Sequence, residues 1–178
     1  MPQTALIVID MLNAYEHEDA DTLTRTVERV VPKIAELIAR AEDEGVPTIY
    51  VNDNFGAWTS DRRQLLDTAL EGRYRHLVEP IAPAEEALFV VKARHSIFFQ
   101  TPLEYLLGQE GVDRVVLAGQ VTEQCVLYSA LDAYIRHLQV VIPRDAVAHI
   151  HAHLAEASLE LMERNMEAEV VAAADVRF

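Results

Sequence analysis

The sequence predicts an α/β protein with three layers, α/β/α, built on a doubly wound and mainly parallel six-stranded sheet. Three observations carry this expectation. Short runs rich in β-branched residues alternate with longer stretches of helical period along the whole chain. Several of those runs are continuously apolar instead of alternating, as strands covered by helices on both faces are. No internal repeat and no Gly/Ser linker divides the 178 residues, and 51% hydrophobic with 25% charged residues is the balance of one domain spanning 1–178.

The first strand is expected over residues 5–9. A long helix over 23–44 follows, with Val27, Val30, Val31, Ile34, Leu37, Ile38 and Ala41 on one stripe, closed by Gly45 and Pro47. The second strand covers 48–52. The stretch 53–83, broken by Gly56, Trp58, Gly72, Pro80 and Pro83, predicts a surface insertion with one short helix near 62–70. Strand three spans 88–92, and a helix over 102–107 leads to strand four at 114–118. A helix over 123–137, strand five at 139–142, a helix over 153–165 and strand six at 169–172 complete the alternation.

Charge and cysteine content narrow the function. Lys and Arg number 15 against 29 for Asp and Glu, a net charge of −14, so nucleic acid and anionic membrane surfaces are not expected partners. A single cysteine excludes an intrachain disulfide and a multi-cysteine zinc site and fits a reducing compartment. The longest apolar runs, such as 5–9 and 87–91, have five residues against the ~20 of a membrane span. The N-terminal stretch does not read as a signal peptide, so a cytoplasmic protein is expected.

Ligands of open α/β sheets bind outside the carboxyl ends of the strands. Strand one delivers Asp10 there, strand three delivers Lys92, and strand four runs through Gly119, Gln120, Val121, Thr122, Glu123 and Gln124 to Cys125 at the start of a helix. A thiol at a helix N-terminus beside an ammonium is expected to move toward thiolate. A carboxylate within reach can take the thiol proton and return it to a leaving group, while free N–H groups of the first turn face a developing oxyanion. Taken singly, Asp10 reads as a turn cap, Lys92 as a solvated charge and Cys125 as a small buried hydrophobe. Their joint arrival at one sheet edge favours covalent acyl transfer.

At these residues the chain resembles the isochorismatase-like cysteine hydrolases, which include nicotinamidases, N-carbamoylsarcosine amidases and isochorismatases. The resemblance runs from Leu6-Ile7-Val8-Ile9-Asp10-Met11 through Lys92, Arg94, Ser96, Phe98, Thr101 and Leu103. It peaks at Gly119-Gln120-Val121-Thr122-Glu123-Gln124-Cys125-Val126, the family's G-x-x-T-x-x-C-V, and continues at Asp145-Ala146. It implies a Rossmann-like sheet order 3-2-1-4-5-6, Asp10 as proton shuttle, Lys92 as supporting cation and Cys125 as nucleophile. On that order Lys92 starts two strand spacings, roughly 10 Å, from Asp10. The resemblance further implies a non-proline cis peptide at Val121–Thr122 that helps form the oxyanion hole, and a homo-oligomer, a dimer or larger, in which 53–83 closes a neighbour's pocket.

Departures from the family refine the reaction. Nicotinamidases of the family carry metal-binding histidines after strand two, but this chain reads Asn52-Asp53-Asn54-Phe55-Gly56-Ala57-Trp58. Zinc and iron favour imidazole, so no catalytic metal and no organic cofactor are expected. Isochorismatases often lack the motif cysteine, which this chain keeps. That favours hydrolysis of an amide, carbamoyl or lactam C–N bond through a thioester on Cys125. The alternatives are vinyl-ether hydrolysis with Asp10 as acid and, in another class, a non-enzymatic binding or redox-sensing protein. Motif position places Asn13, Tyr15, Asn54, Trp58, Phe98, Phe99 and Tyr128 at the pocket mouth, where aromatic walls suit a planar or cyclic substrate. The string His149-Ile150-His151-Ala152-His153 reads as a solvated first helical turn, not a chelating site.

Overall fold

A computed structural model describes residues 3–178; residues 1 and 2 of the domain expected over 1–178 lie outside the described residues. Seven parallel strands form one sheet: β1 (Thr4–Ile9), β2 (Thr48–Asp53), β3 (Leu88–Lys92), β4 (Arg114–Gln120), β5 (Gln139–Pro143), β6 (Val147–Ala148) and β7 (Glu169–Val171). The order is β3-β2-β1-β4-β5-β7, with β6 paired to the end of β4 through Gly119↔Val147 and Gln120↔Ala148. Six of these are the expected strands in the expected order. The seventh has two residues, too few for any periodicity to mark it.

Both faces of the sheet are covered, which explains the unbroken apolar runs. Along β1, Leu6 and Val8 pack with Leu23, Val27, Val31, Ile34 and Leu37 of α1 (Ala20–Asp43). Ala5, Ile7 and Ile9 point the other way, into a core with Leu103 and Leu107 of α4 (Leu103–Gln109), Ala130 and Ala133 of α5 (Leu127–Ile135), and Leu159 and Met162 of α6 (Ala152–Asn165). Side chains alternate with the pleat, so only a strand apolar at every position can serve two such cores. Among the described residues no helix is long and apolar enough to cross a membrane.

The stretch 53–83 lies largely at the surface and carries the short helix expected near 62–70, but it holds more regular structure than its breakers suggested. It holds α2 (Arg62–Glu71), capped by Asp61 accepting from the Gln64 N–H at 2.9 Å, then α3 (Arg75–Val78) and a 3-10 turn at Glu79–Ile81. Leu65, Ala69 and Val78 close a small core around Leu12, while Leu77 and Ile81 join the core beneath α1. The apolar positions are spread over three short elements, each too brief to show a stripe of its own, so packing and not period organises them.

The carboxyl end of β4 differs from the plain helix expected over 123–137. A π turn at Thr122–Val126 precedes α5, and the non-proline cis peptide lies at Gln120–Val121, one bond earlier than expected. Gln120 is the last residue held in the ladder, paired with Ala148, and the helical turn begins two residues later. Thr122 anchors the turn by donating its hydroxyl to the Ala148 carbonyl at 2.9 Å.

Candidate active site

The sheet puts three strand ends side by side, and the backbone at two of them is specialised. Asp10 leaves β1 with φ +56, a left-handed conformation that Asp tolerates better than most residues, while its N–H still bonds the Val51 carbonyl at 3.0 Å. Gly119 on β4 has φ +125, and a Cβ there would lie 2.2 Å from the Ile9 carbonyl oxygen. Absence of a side chain at Gly119 therefore lets β4 crowd against β1 immediately before Asp10. Gln120, buried, donates its Nε2 to the Asp10 carbonyl at 2.6 Å and accepts from the Tyr15 hydroxyl at 3.4 Å, tying the two strand ends together.

Lys92 spans the remaining gap. From β3 its stem runs beneath β2, and the ammonium lies 2.9 Å from Asp10 Oδ2, 3.3 Å from Asp53 Oδ2 and 3.7 Å from Cys125 Sγ. Its residue is only 2% exposed, and the side chain of Asp10 is nearly as deep. A buried ammonium of this kind needs paired carboxylates to offset the loss of hydration, and two stand within reach. The Asp53 N–H also donates to Asp10 Oδ1 at 2.7 Å, so both carboxylate oxygens of Asp10 are engaged.

Protonation follows from burial and these contacts. Burial raises the proton affinity of the Asp10 carboxyl, and the Lys92 ammonium, the thiol and the Asp53 N–H only partly oppose it. For Lys92, burial disfavours the charge, but the fields of Asp10, Cys125 and Asp53 outweigh it and hold the ammonium charged beyond its ordinary range. The Cys125 thiol is pushed up, first by burial and then by the Asp10 carboxylate, with Lys92 and the Val121 N–H pulling the other way. This reverses the thiolate expected from the sequence. Cys125 lies in the first turn of the helical segment that leads into α5, as expected, but it is only 8% exposed and the nearby carboxylate opposes deprotonation of the sulfur. The arrangement is an ion pair beside a neutral thiol whose proton has a basic acceptor at hand.

A cleft of about 590 Å³ opens against Lys92, lined by Asn54, Trp58, Arg94 and Phe99 among others. Trp58 is 83% exposed and Phe99 is also open to solvent, so both aromatic walls are free to meet a ligand. Tyr128 is exposed too and lies against His95, with ring centroids 5.5 Å apart. Asn13, Tyr15 and Phe98 are not pocket-mouth groups of this cleft. Asn13 Oδ1 accepts the Tyr15 N–H at 2.6 Å in a tight turn and borders a second cleft of about 460 Å³. Tyr15 is buried edge-on against Tyr74, and Phe98 is buried in the core beneath α5 with the Arg136 guanidinium 4.8 Å from its ring centre. Their burial comes from the paths of two loops, which motif position does not encode.

The donors after β2 do not fit a catalytic zinc or iron. Asp53 is taken by Lys92 and by the Phe55 N–H at 2.7 Å, and Asn54 Oδ1 accepts the Gly56 N–H at 2.9 Å. Among the described residues no group of three or more His, Cys, Asp or Glu is placed to hold a metal ion. The histidine string starts α6, where Glu123 accepts the N–H groups of Ile150 and His151 at 3.0 and 2.7 Å. Glu123 thereby supplies acceptors for a helix start that lacks a side-chain cap of its own.

The sequence reading names Asp53 and Gln120 without giving them a part in the site, and it does not single out His95. Asp53 was within reach of reasoning, since it sits at the same strand end as Asp10 and pairs with Lys92 in the β2–β3 register. His95 Nδ1 lies 3.7 Å from Cys125 Sγ, from a loop whose path no local pattern announces.

Comparison with known proteins agrees with this geometry. A family model described as the isochorismatase domain matches residues 4–175. An uncharacterized isochorismatase family protein of Bacillus subtilis, YaaI, is 33% identical over 166 residues, 93% of this chain and 92% of the relative. The maleamate amidohydrolase of Pseudomonas putida is 30% identical over 163 residues, 87% of this chain and 76% of its own. The crystal structure of N-carbamoylsarcosine amidase from Thermoplasma acidophilum superposes with a TM-score of 0.78 at 26% identity, covering 100% of both chains. With the family match spanning nearly every residue and the sheet order to go with it, the chain belongs to the isochorismatase family of hydrolases.

Proposed function

We propose that this protein hydrolyses a C–N bond of a small amide, carbamoyl or lactam compound, with Cys125 as nucleophile, Asp10 as acid and base, and Lys92 as the cation that supports both. The observation that carries the reading is the contact of all three groups at one strand edge: ammonium to carboxylate 2.9 Å, ammonium to sulfur 3.7 Å. Relatives named for amide and carbamoyl hydrolysis support the same bond type.

In the first half-reaction Asp10 takes the thiol proton as sulfur attacks the substrate carbonyl. A C–S bond forms and the carbonyl π pair moves onto oxygen. We assign the oxyanion to the backbone N–H groups of Val121, which hydrogen-bonds toward the sulfur, and of Cys125. Lys92 offsets the negative charge as the proton leaves sulfur. Collapse of the adduct breaks the C–N bond, and Asp10 returns its proton to the departing nitrogen, leaving a thioester that water then cleaves.

A neutral thiol suits this sequence, because deprotonation is coupled to attack and needs a carboxyl of raised proton affinity. The pH dependence follows with a definite sign. Asp10 must be ionised to accept a proton, and burial raises its affinity, so kcat/KM falls on acidification at a higher pH than an ordinary carboxylate would give. Lys92 stays charged past its usual range, so it produces no alkaline loss near neutrality. A profile of kcat/KM between pH 4 and 9 is expected to show one acid limb; a bell centred near neutrality would contradict the assignment.

Intact-mass analysis tests the covalent step. After brief exposure to a panel of primary amides, carbamoyl compounds and lactams, an adduct on Cys125 is expected that disappears with hydrolysis and never forms on Cys125→Ala. Turnover of a substrate by wild type and Cys125→Ala alike would instead assign the chemistry to Asp10.

A further inference from the structure

The acylation chemistry leaves one polar group at the thiol without work. His95 Nδ1 stands 3.7 Å from Cys125 Sγ, as near as the ammonium of Lys92. Lys92 reaches the sulfur from the buried interior, whereas His95 is exposed and its ring lies at 32° to that of the exposed Tyr128. The sulfur thus has a buried ionic neighbour and an open imidazole neighbour.

We infer that His95 is a second catalytic residue of this site, the base that activates the water for thioester hydrolysis. The inference rests on Cys125 being the nucleophile. Asp10 is buried with its two oxygens holding the Asp53 N–H and the Lys92 ammonium, whereas His95 is the group at the sulfur that is open to solvent. Water reaches the acyl carbon, one bond from sulfur, from the open face, where the imidazole stands within one water of the reacting carbon. The neutral ring with its proton on Nε2 has Nδ1 free to accept.

The step balances. Nδ1 takes a proton from water while the water oxygen bonds to the acyl carbon and the carbonyl pair moves onto oxygen. The tetrahedral adduct collapses, the C–S bond breaks with its electron pair going to sulfur, and the imidazolium returns its proton there. The products are the free acid, the thiol and neutral His95. The two proton carriers divide the reaction between them, Asp10 serving the leaving nitrogen and His95 the incoming water.

The probe is p-nitrophenyl acetate, whose phenolate release reports acylation and whose acetyl group marks Cys125 by mass. Wild type, His95→Ala and His95→Gln are compared. Both variants are expected to release the first equivalent of phenolate at close to the wild-type rate and then to retain the acetyl group, with clearance slowed about 100-fold. Hydroxylamine, which attacks a thioester without a base, is expected to clear the variants' acetyl group as fast as that of the wild type. Clearance by water at the wild-type rate in both variants would overturn the inference while leaving Cys125 as nucleophile. So would equal loss of the phenolate burst and of clearance, which would mark His95 as a group that only shapes the thiol. Failure of wild type to become acetylated at Cys125 would instead overturn the nucleophile itself, and this inference with it.

Discussion

Replacing Cys125 with Ala is expected to lower turnover of the amide-type substrate by at least about 10⁴-fold with the fold intact. In the proposed mechanism the sulfur makes the bond on which both half-reactions depend, and no other side chain at this strand edge is a comparable nucleophile. Its removal costs little structure, because the Lys92–Asp10 and Lys92–Asp53 pairs do not involve it. Asp10→Asn is the companion variant. It keeps the shape but removes the proton acceptor, and an effect of about 10³-fold on kcat/KM is expected, in the range of a general base. The raised proton affinity of the thiol sharpens the comparison, because a thiolate would need no proton acceptor for attack. Retention of most of the activity in Asp10→Asn would remove Asp10 from the proton path. Steady-state rates for the three proteins, with circular dichroism as a check on folding, decide the matter.

The second large effect is on stability and comes from a residue with no side chain. Gly119→Ala would place a methyl group 2.2 Å from the Ile9 carbonyl oxygen at φ +125. The neighbour is backbone of the central strand, so it cannot swing aside as a side-chain tip would. Left-handed strain of about 1–3 kcal/mol adds to overpacking of about 1–3 kcal/mol. Against a typical stability of about 5–15 kcal/mol, that is a large fraction. A lowered urea midpoint is expected, together with loss of activity in whatever protein remains folded, because β1 and β4 would have to part where they position Asp10 and Cys125. Gly45→Ala is the control: it also has positive φ but no atom within 4 Å of the added Cβ, so it carries the strain without the collision. Equal midpoints for the two variants would show that the close approach of β1 and β4 contributes nothing.

Much of this architecture is a local property of the chain. Residues 5–9 are apolar at every position because β1 faces two cores, and that pattern is visible before any partner is known. The stripe through Val27, Val31, Ile34 and Leu37 marks α1 for the same reason. Asp10, Lys92 and the turn to Cys125 were legible as strand-end residues, and in a parallel sheet strand ends share one edge. The lack of imidazole ligands after β2 needed only the sequence.

What the tertiary structure alone decided concerns groups brought together from distant positions. Lys92 and Asp10 are 82 residues apart, and only the sheet order with a buried lysine stem closes them to 2.9 Å. His95 reaches Cys125 from a loop that carries no periodicity, and Gln120, the last residue of β4, reaches Asp10 because β4 pairs with β1. The thiol's protonation state was misjudged from sequence because helix position suggested a dipole effect, whereas burial and the Asp10 field prevail. In the stretch 53–83 the helix near 62–70 was legible, but α3, the 3-10 turn and the anchoring contacts were not, because their apolar partners, such as Leu12, come from elsewhere in the chain. Periodicity and propensity belong to neighbouring residues along the backbone, so the sequence displays them directly. Desolvation and electrostatic fields belong to neighbours in space, and they exist only once the chain has folded.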